Sequence, residues 1–205
     1  MKDLFKGCLT IPNLLSLIRI VLIPVFAVLF YNGFYLWAVI VLAISGLTDF
    51  FDGKIARRFN QVSDLGKILD PVADKLTQVT IAIILFLEFK QSESNAMQIF
   101  SWVFLFFLAK EVLMLLGGLL MLSKGLRPSA AIIYGKVATF VFYGVMIIIM
   151  AFGPKFGALV QLGLPCLPDV AIMIMVVVSA ICTLVALFSY IPGFLKELKQ
   201  AKTEK

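Results

Sequence analysis

Six apolar stretches occupy most of this chain. They run from about Ile11 to Tyr31, Phe34 to Phe51, Leu69 to Phe89, Ala96 to Leu122, Ala130 to Phe152 and Val170 to Tyr190. A helix of roughly 20 apolar residues crosses the ~30 Å hydrocarbon core of a bilayer. Each stretch is long enough to do so. The runs are continuously apolar and lack the period-two alternation of a transmembrane β-barrel. The sequence predicts an all-α polytopic membrane protein with six transmembrane helices in a single domain over residues 1–205, ending in a basic tail at 193–205. Hydrophobic residues make up 61% of the chain and charged residues 15%, against about 45–50% and 25% in a soluble domain. That balance excludes a disordered chain, a basic nucleic-acid-binding domain and a secreted disulfide scaffold. The first apolar stretch has no small-residue cleavage site and is followed by further spans, so a removed signal peptide is not expected.

The connections carry the orientation. Lys2 and Lys6 precede the first span; Lys54, Arg57, Arg58 and Lys67 lie between the second and third. Lys124, Arg127 and Lys136 lie between the fourth and fifth, and Lys196, Lys199, Lys202 and Lys205 end the chain. The other connections hold only Lys90 and Lys155 among their cations. The positive-inside rule puts both termini in the cytoplasm, in what is expected to be the cell (plasma) membrane. The formal charge of +6 is accounted for by topology and anionic lipid; nucleic acid is not an expected partner.

The chain contains no histidine, which removes His-ligated zinc and any His general base. Its three cysteines, Cys8, Cys166 and Cys182, are scattered and indicate neither a disulfide framework nor a zinc site. The chemistry-bearing residues are acids. Asp49 and Asp52 are three apart near the end of the second span; Asp70 and Asp74 are four apart at the start of the third. On a helix each pair shares a face. The intervening segment lets the two helices run antiparallel, so four carboxylates can converge near the cytoplasmic surface. Two unit charges 4 Å apart repel by about 4 kcal/mol at an effective dielectric of 20, which divalent cations relieve. An all-oxygen donor set favours Mg²⁺, Mn²⁺ or Ca²⁺ over zinc. Two such ions suit displacement at phosphorus. The plainer alternative pairs the acids with Lys54, Arg57, Arg58 and Lys75 at the membrane edge, but four acids at helical spacing with interleaved glycines weigh against it.

The stretch fits D-x2-D-G-x2-A-R-x8-G-x3-D-x3-D at Asp49, Asp52, Gly53, Ala56, Arg57, Gly66, Asp70 and Asp74. By this pattern the chain resembles the CDP-alcohol phosphotransferase family. The resemblance implies transfer of a phosphatidyl group from a CDP-linked lipid to an alcohol, with release of CMP. It implies that Asp49, Asp52, Asp70 and Asp74 hold two divalent ions, Mg²⁺ or Mn²⁺, which bind the CDP diphosphate. It makes Asp74 also the general base. Gly53, Ala56, Arg57 and Gly66 would line the cytidine and diphosphate site. The family forms homodimers, so a homodimer is expected.

Two flanking regions, Ile11–Arg19 continuing to Pro24 and Ala56–Lys67 continuing to Lys75, are most similar to phosphatidylglycerophosphate synthases, which use CDP-diacylglycerol and sn-glycerol 3-phosphate. Cardiolipin synthases of the same family share much of this wording and use phosphatidylglycerol as the acceptor. A small phosphorylated acceptor needs fixed cations. Candidates are Arg19, Lys110, Arg127 and Lys136. Lys110 adjoins Glu111 inside an apolar run, and sequence neighbours on a helix do not face each other, so a mere ion pair between the two is not expected. Phosphatidylglycerophosphate synthases usually carry Arg-Glu or Arg-Asp there. A reading of another class is a cation transporter using the acid cluster, for which no inverted repeat is visible. Gly117-Gly118 and Gly144 are expected to allow close helix packing, and Trp37 and Trp102 to anchor at the membrane interface.

Overall fold

A computed structural model describes residues 10–58, 66–123 and 133–203; side chains at 11, 12, 49–58, 66–68, 71, 115, 118–123 and 194–203 lie outside that description. The described residues are helical and contain no strand. The helices are α1 (Ile11–Tyr31), α2 (Tyr35–Arg58), α3 (Gly66–Lys90), the short α4 (Asn95–Phe100), α5 (Trp102–Ser123), α6 (Ile133–Phe152) and α7 (Asp169–Thr203), with a 3-10 turn at Val160–Leu162 before α7.

Six long helices therefore stand where six apolar stretches were read. Four segments, Asn13–Tyr31, Asn95–Met114, Ile133–Phe152 and Asp169–Gly193, are long and apolar enough to cross a membrane. Within α2 the apolar portion is the shorter Tyr35–Thr48. The charged segment that carries the acids begins at once beyond it. The fourth span is broken in its first turns. Ser94 caps α4 by accepting the Met97 amide, and Ser101 separates α4 from α5. Helix α7 is 35 residues long, about 52 Å at 1.5 Å per residue. It outruns the bilayer core, so the basic tail at 193–203 is a continuation of the last helix.

The chain divides into two compact units, Met1–Ile81 with Ile149–Cys166, and Ala82–Ile148 with Leu167–Lys205. In the first unit, α1 starts where Thr10 accepts the Asn13 amide and a proline occupies the first turn, a position that needs no amide donor. The helix ends at Asn32-Gly33, with Gly33 at φ 80°, a backbone state glycine adopts without a Cβ penalty. The Phe34 amide bonds back to the Leu29 carbonyl at 2.9 Å, and α2 returns along α1. Phe30 packs edge-on against Tyr35 at 4.9 Å and meets Phe156 at 5.8 Å. The tight turn after α6 brings Phe156 there. A Cβ at Gly153 would meet the Phe156 ring at 2.9 Å.

Burial on α1 is inverted relative to a soluble helix. Leu14, Leu17, Val21, Val25 and Val28 are exposed, whereas Asn13, Ser16 and Arg19 are buried. In water that exposed face would be a liability; in a bilayer it meets lipid tails of equal polarity. The buried polar residues recur every third position, on the same side as Phe26 and Phe30.

The second unit is stitched by aromatic pairs. Phe89 meets Phe104 and Phe107 meets Phe142, each at 5.2 Å. Such pairs contribute about 0.5–1.5 kcal/mol beyond area burial. Lys90 lies 5.0 Å over the exposed Trp102 ring, the arrangement expected of an interface anchor. Of the glycines expected to allow close packing, Gly118 lies outside the described side chains, and the expectation for Gly117 and Gly144 is corrected. Among the described residues, Gly117 and Gly144 have no heavy atom within 4 Å of a built Cβ, whereas Gly135 meets the Tyr190 ring, with Cζ 3.2 Å away and Oη nearer still. The close approach is made at Gly135 because that is where a large side chain of α7 reaches α6.

Candidate active site

The acids lie on two helices. Asp49 and Asp52, with Gly53, Ala56 and Arg57 beyond them, occupy the last turns of α2, and Gly66 opens α3. Their side-chain placement lies outside the described residues, so the expected convergence of four carboxylates does too. Among described residues, no group of three or more acids or other metal-binding side chains is assembled. Asp70 and Asp74 are described. They sit one turn apart on α3, and both are half-buried.

Each α3 acid is held by a buried neutral donor. The Ser16 hydroxyl on α1 donates to Asp70 Oδ1, and Ser16 has no exposed surface. The Gln78 amide donates through Nε2 to Asp74 Oδ2 at 3.2 Å, one turn along the same helix, and Gln78 is buried as well. Thr77 is buried with its hydroxyl returned to the Ala73 carbonyl at 2.9 Å. Its polarity is thereby used within the helix. Each hydrogen bond engages one of the two oxygens of its carboxylate. The donor set at Asp70 and Asp74 is oxygen only, and Ser16 and Gln78, which donate to it, are uncharged. This chemistry fits a hard divalent cation such as Mg²⁺ or Mn²⁺.

The candidate acceptor cations divide. Arg19 is buried on α1 in the same unit as Asp70 and Asp74. Lys110 and Lys136 belong to the other unit; Lys136 is exposed on α6, and Arg127 lies outside the described residues. Lys110 Nζ contacts Glu111 Oε1, and both side chains are largely withdrawn from the surface. That corrects the expectation drawn from neighbour geometry. Side chains one residue apart leave the helix about 100° apart, but the four-carbon stem of lysine bends around the helix to close the gap.

Ser16 and Gln78 are the residues that sequence reasoning did not single out as site residues. The signal for both is the cost of a polar side chain in an apolar helix. Ser16 stands in the flanking region Ile11–Arg19, but its link to Asp70 spans 54 positions.

Residues 9–191 match the CDP-alcohol phosphatidyltransferase family, and this chain belongs to that family. With its apolar helices, membership makes it an integral membrane protein. A protein of Salmonella paratyphi A named CDP-diacylglycerol--glycerol-3-phosphate 3-phosphatidyltransferase is 42% identical over 137 residues, 63% of this chain and 70% of that protein. The Aquifex aeolicus protein of the same name is 31% identical over 131 residues, 64% of this chain and 70% of its own. A Streptomyces coelicolor protein named Cardiolipin synthase (CMP-forming) is 36% identical over 138 residues, 64% of this chain and 60% of that protein. The chain thus spans about three fifths of the cardiolipin synthase it matches.

Proposed function

We propose that this protein transfers the phosphatidyl group of CDP-diacylglycerol to sn-glycerol 3-phosphate, yielding phosphatidylglycerophosphate and CMP. The observation that carries the reading is the pair Asp70 and Asp74 on one face of α3, each oriented by a buried neutral donor, within a complete eight-position family pattern. The acceptor hydroxyl oxygen attacks the phosphorus that bears the diacylglycerol. A P–O bond forms there, the bridging P–O bond to CMP breaks, and the hydroxyl proton passes to the Asp74 carboxylate. Gln78 donates to one oxygen of that carboxylate and so helps orient it. Asp49, Asp52, Asp70 and Asp74 would hold two divalent ions, which supply neutralisation of the diphosphate charge when bound. Gly53, Ala56, Arg57 and Gly66 line the nucleotide side. Arg19, Lys110, Arg127 and Lys136 supply the positive charge that a phosphorylated acceptor requires.

The remaining assignments follow from the same reading. All six long helices span the cell (plasma) membrane as one domain, both termini are cytoplasmic by the lysine and arginine distribution, the acids lie on the cytoplasmic side, and two copies form a homodimer. A second reading, cardiolipin synthesis with phosphatidylglycerol as acceptor, is favoured by the 36% identity to the Streptomyces cardiolipin synthase. It keeps the same acids and leaving group and differs only in the acceptor. The test is CMP release by purified protein with CDP-diacylglycerol and Mg²⁺, acceptors being offered one at a time. Release with glycerol 3-phosphate is expected. Release with phosphatidylglycerol alone moves the function to the second reading, and release with neither overturns both.

A further inference from the structure

We infer that Ser16 is a positioning residue for the divalent-ion site, acting across helices through Asp70. The inference rests on the proposed role of Asp70 as a ligand. Ser16 lies on α1, Asp70 on α3, and the two meet within one compact unit. Ser16 has no exposed surface on a helix whose lipid side is formed by Leu14, Leu17 and Val21. A hydroxyl so placed cannot be explained by solvation. A hydrogen bond to an ionised carboxylate is about twice as strong as one between neutral groups, and it fixes which carboxylate oxygen remains for a ligand. The chemistry of the donor matters as much as its place. A lysine or arginine there would neutralise Asp70 and compete with the cation. A hydroxyl orients the acid and leaves its negative charge in force. Threonine retains this donor, whereas alanine and valine do not. Gln78 does the equivalent for Asp74 from within α3. Ser16 joins the acid helix to another element, so the placement of α1 is transmitted to the ion site.

Partners of metal-ligating groups typically cost about 10–100-fold in metal affinity or activity when removed. The experiment measures Mn²⁺ binding to the full-length protein in nanodiscs, with no CDP-lipid present, from the loss of the free-ion electron paramagnetic resonance signal. The variants are Ser16→Ala, Ser16→Thr and Ser179→Ala. Ser179 is an equally buried serine on α7 whose hydroxyl has no hydrogen-bond partner among the described residues, so its truncation controls for loss of a buried hydroxyl as such. Ser16→Ala is expected to weaken Mn²⁺ binding about 10–100-fold, Ser16→Thr to restore it to within about threefold, and Ser179→Ala to leave it unchanged. The concentration of Mg²⁺ that half-activates CMP release should rise in parallel for Ser16→Ala. Wild-type Mn²⁺ affinity in a monodisperse Ser16→Ala protein overturns the inference. So does equal weakening in Ser16→Ala and Ser16→Thr. Should Ser16→Ala not fold, the comparison of Ser16→Thr with Ser16→Val decides, equal affinities overturning the inference. A wild-type protein that binds Mn²⁺ but releases no CMP overturns the proposed reaction and leaves the binding comparison intact.

Discussion

Two glycine-to-alanine changes on α6 should have opposite consequences. At Gly135 an added Cβ would lie 3.2 Å from Tyr190 Cζ and closer still to Tyr190 Oη; at Gly144 it meets nothing within 4 Å. Both changes gain about 1 kcal/mol of helix propensity. Only Gly135→Ala adds overpacking, and because the crowding atoms are the far end of the half-buried Tyr190 side chain, which can swing aside, the cost falls at the low end of the usual range, about 1 kcal/mol. The propensity gains cancel in the comparison, so Gly135→Ala should be less stable than Gly144→Ala by about 1 kcal/mol. For a chain of this size each kcal/mol corresponds to about 2–4 °C, so the melting temperatures should differ by about 2–4 °C. The assay is thermal unfolding of each variant in one detergent at one protein concentration. Adding Tyr190→Phe to Gly135→Ala removes the nearest clashing atom and should return part of the loss. Gly135→Ala melting together with Gly144→Ala would refute the assigned α6–α7 contact.

Asp74→Asn should lower CMP release about 10²–10⁴-fold, the usual contribution of a general base, measured at saturating Mg²⁺; a loss under tenfold would remove Asp74 from that role. Lys110→Met should raise the KM for glycerol 3-phosphate about 10–100-fold, equivalent to 1.5–3 kcal/mol for a lost charged hydrogen bond. Combining it with Glu111→Gln removes the buried partner charge, and an unchanged KM in that double variant would make the Lys110–Glu111 contact purely structural. Phe156→Ala should cost about 3–5 kcal/mol, read as a fall in melting temperature, because the ring is buried between Phe30 and Tyr35. A fall of under 1 °C would mean the turn after α6 is not seated there.

The helices were legible because membrane helices announce themselves residue by residue. Continuous apolarity at Ile11–Tyr31 and Val170–Tyr190 needs no knowledge of neighbours. The break at Ser101 was not legible, since it depends on how local hydrogen bonds divide between two helix ends; a helical tail was one of two readings, and the structure makes it a continuation of α7 to Thr203. The acid pairs were legible from helical spacing, and the family from eight residues within a 26-residue stretch. Which glycine sits against another helix could not be read, because Gly117, Gly135 and Gly144 carry the same chemistry and differ only in what lies opposite.

The sequence by itself determined the apolar surroundings of this protein, its helical class and its family, because hydrophobicity, helical spacing and a short motif are properties of single residues and short intervals. Tertiary structure alone decided that Ser16 meets Asp70 across 54 positions and that Tyr190 closes on Gly135. Hydrogen bonds and van der Waals contacts act only over a few ångströms, and residues far apart along the chain come within that range only once the helices have packed.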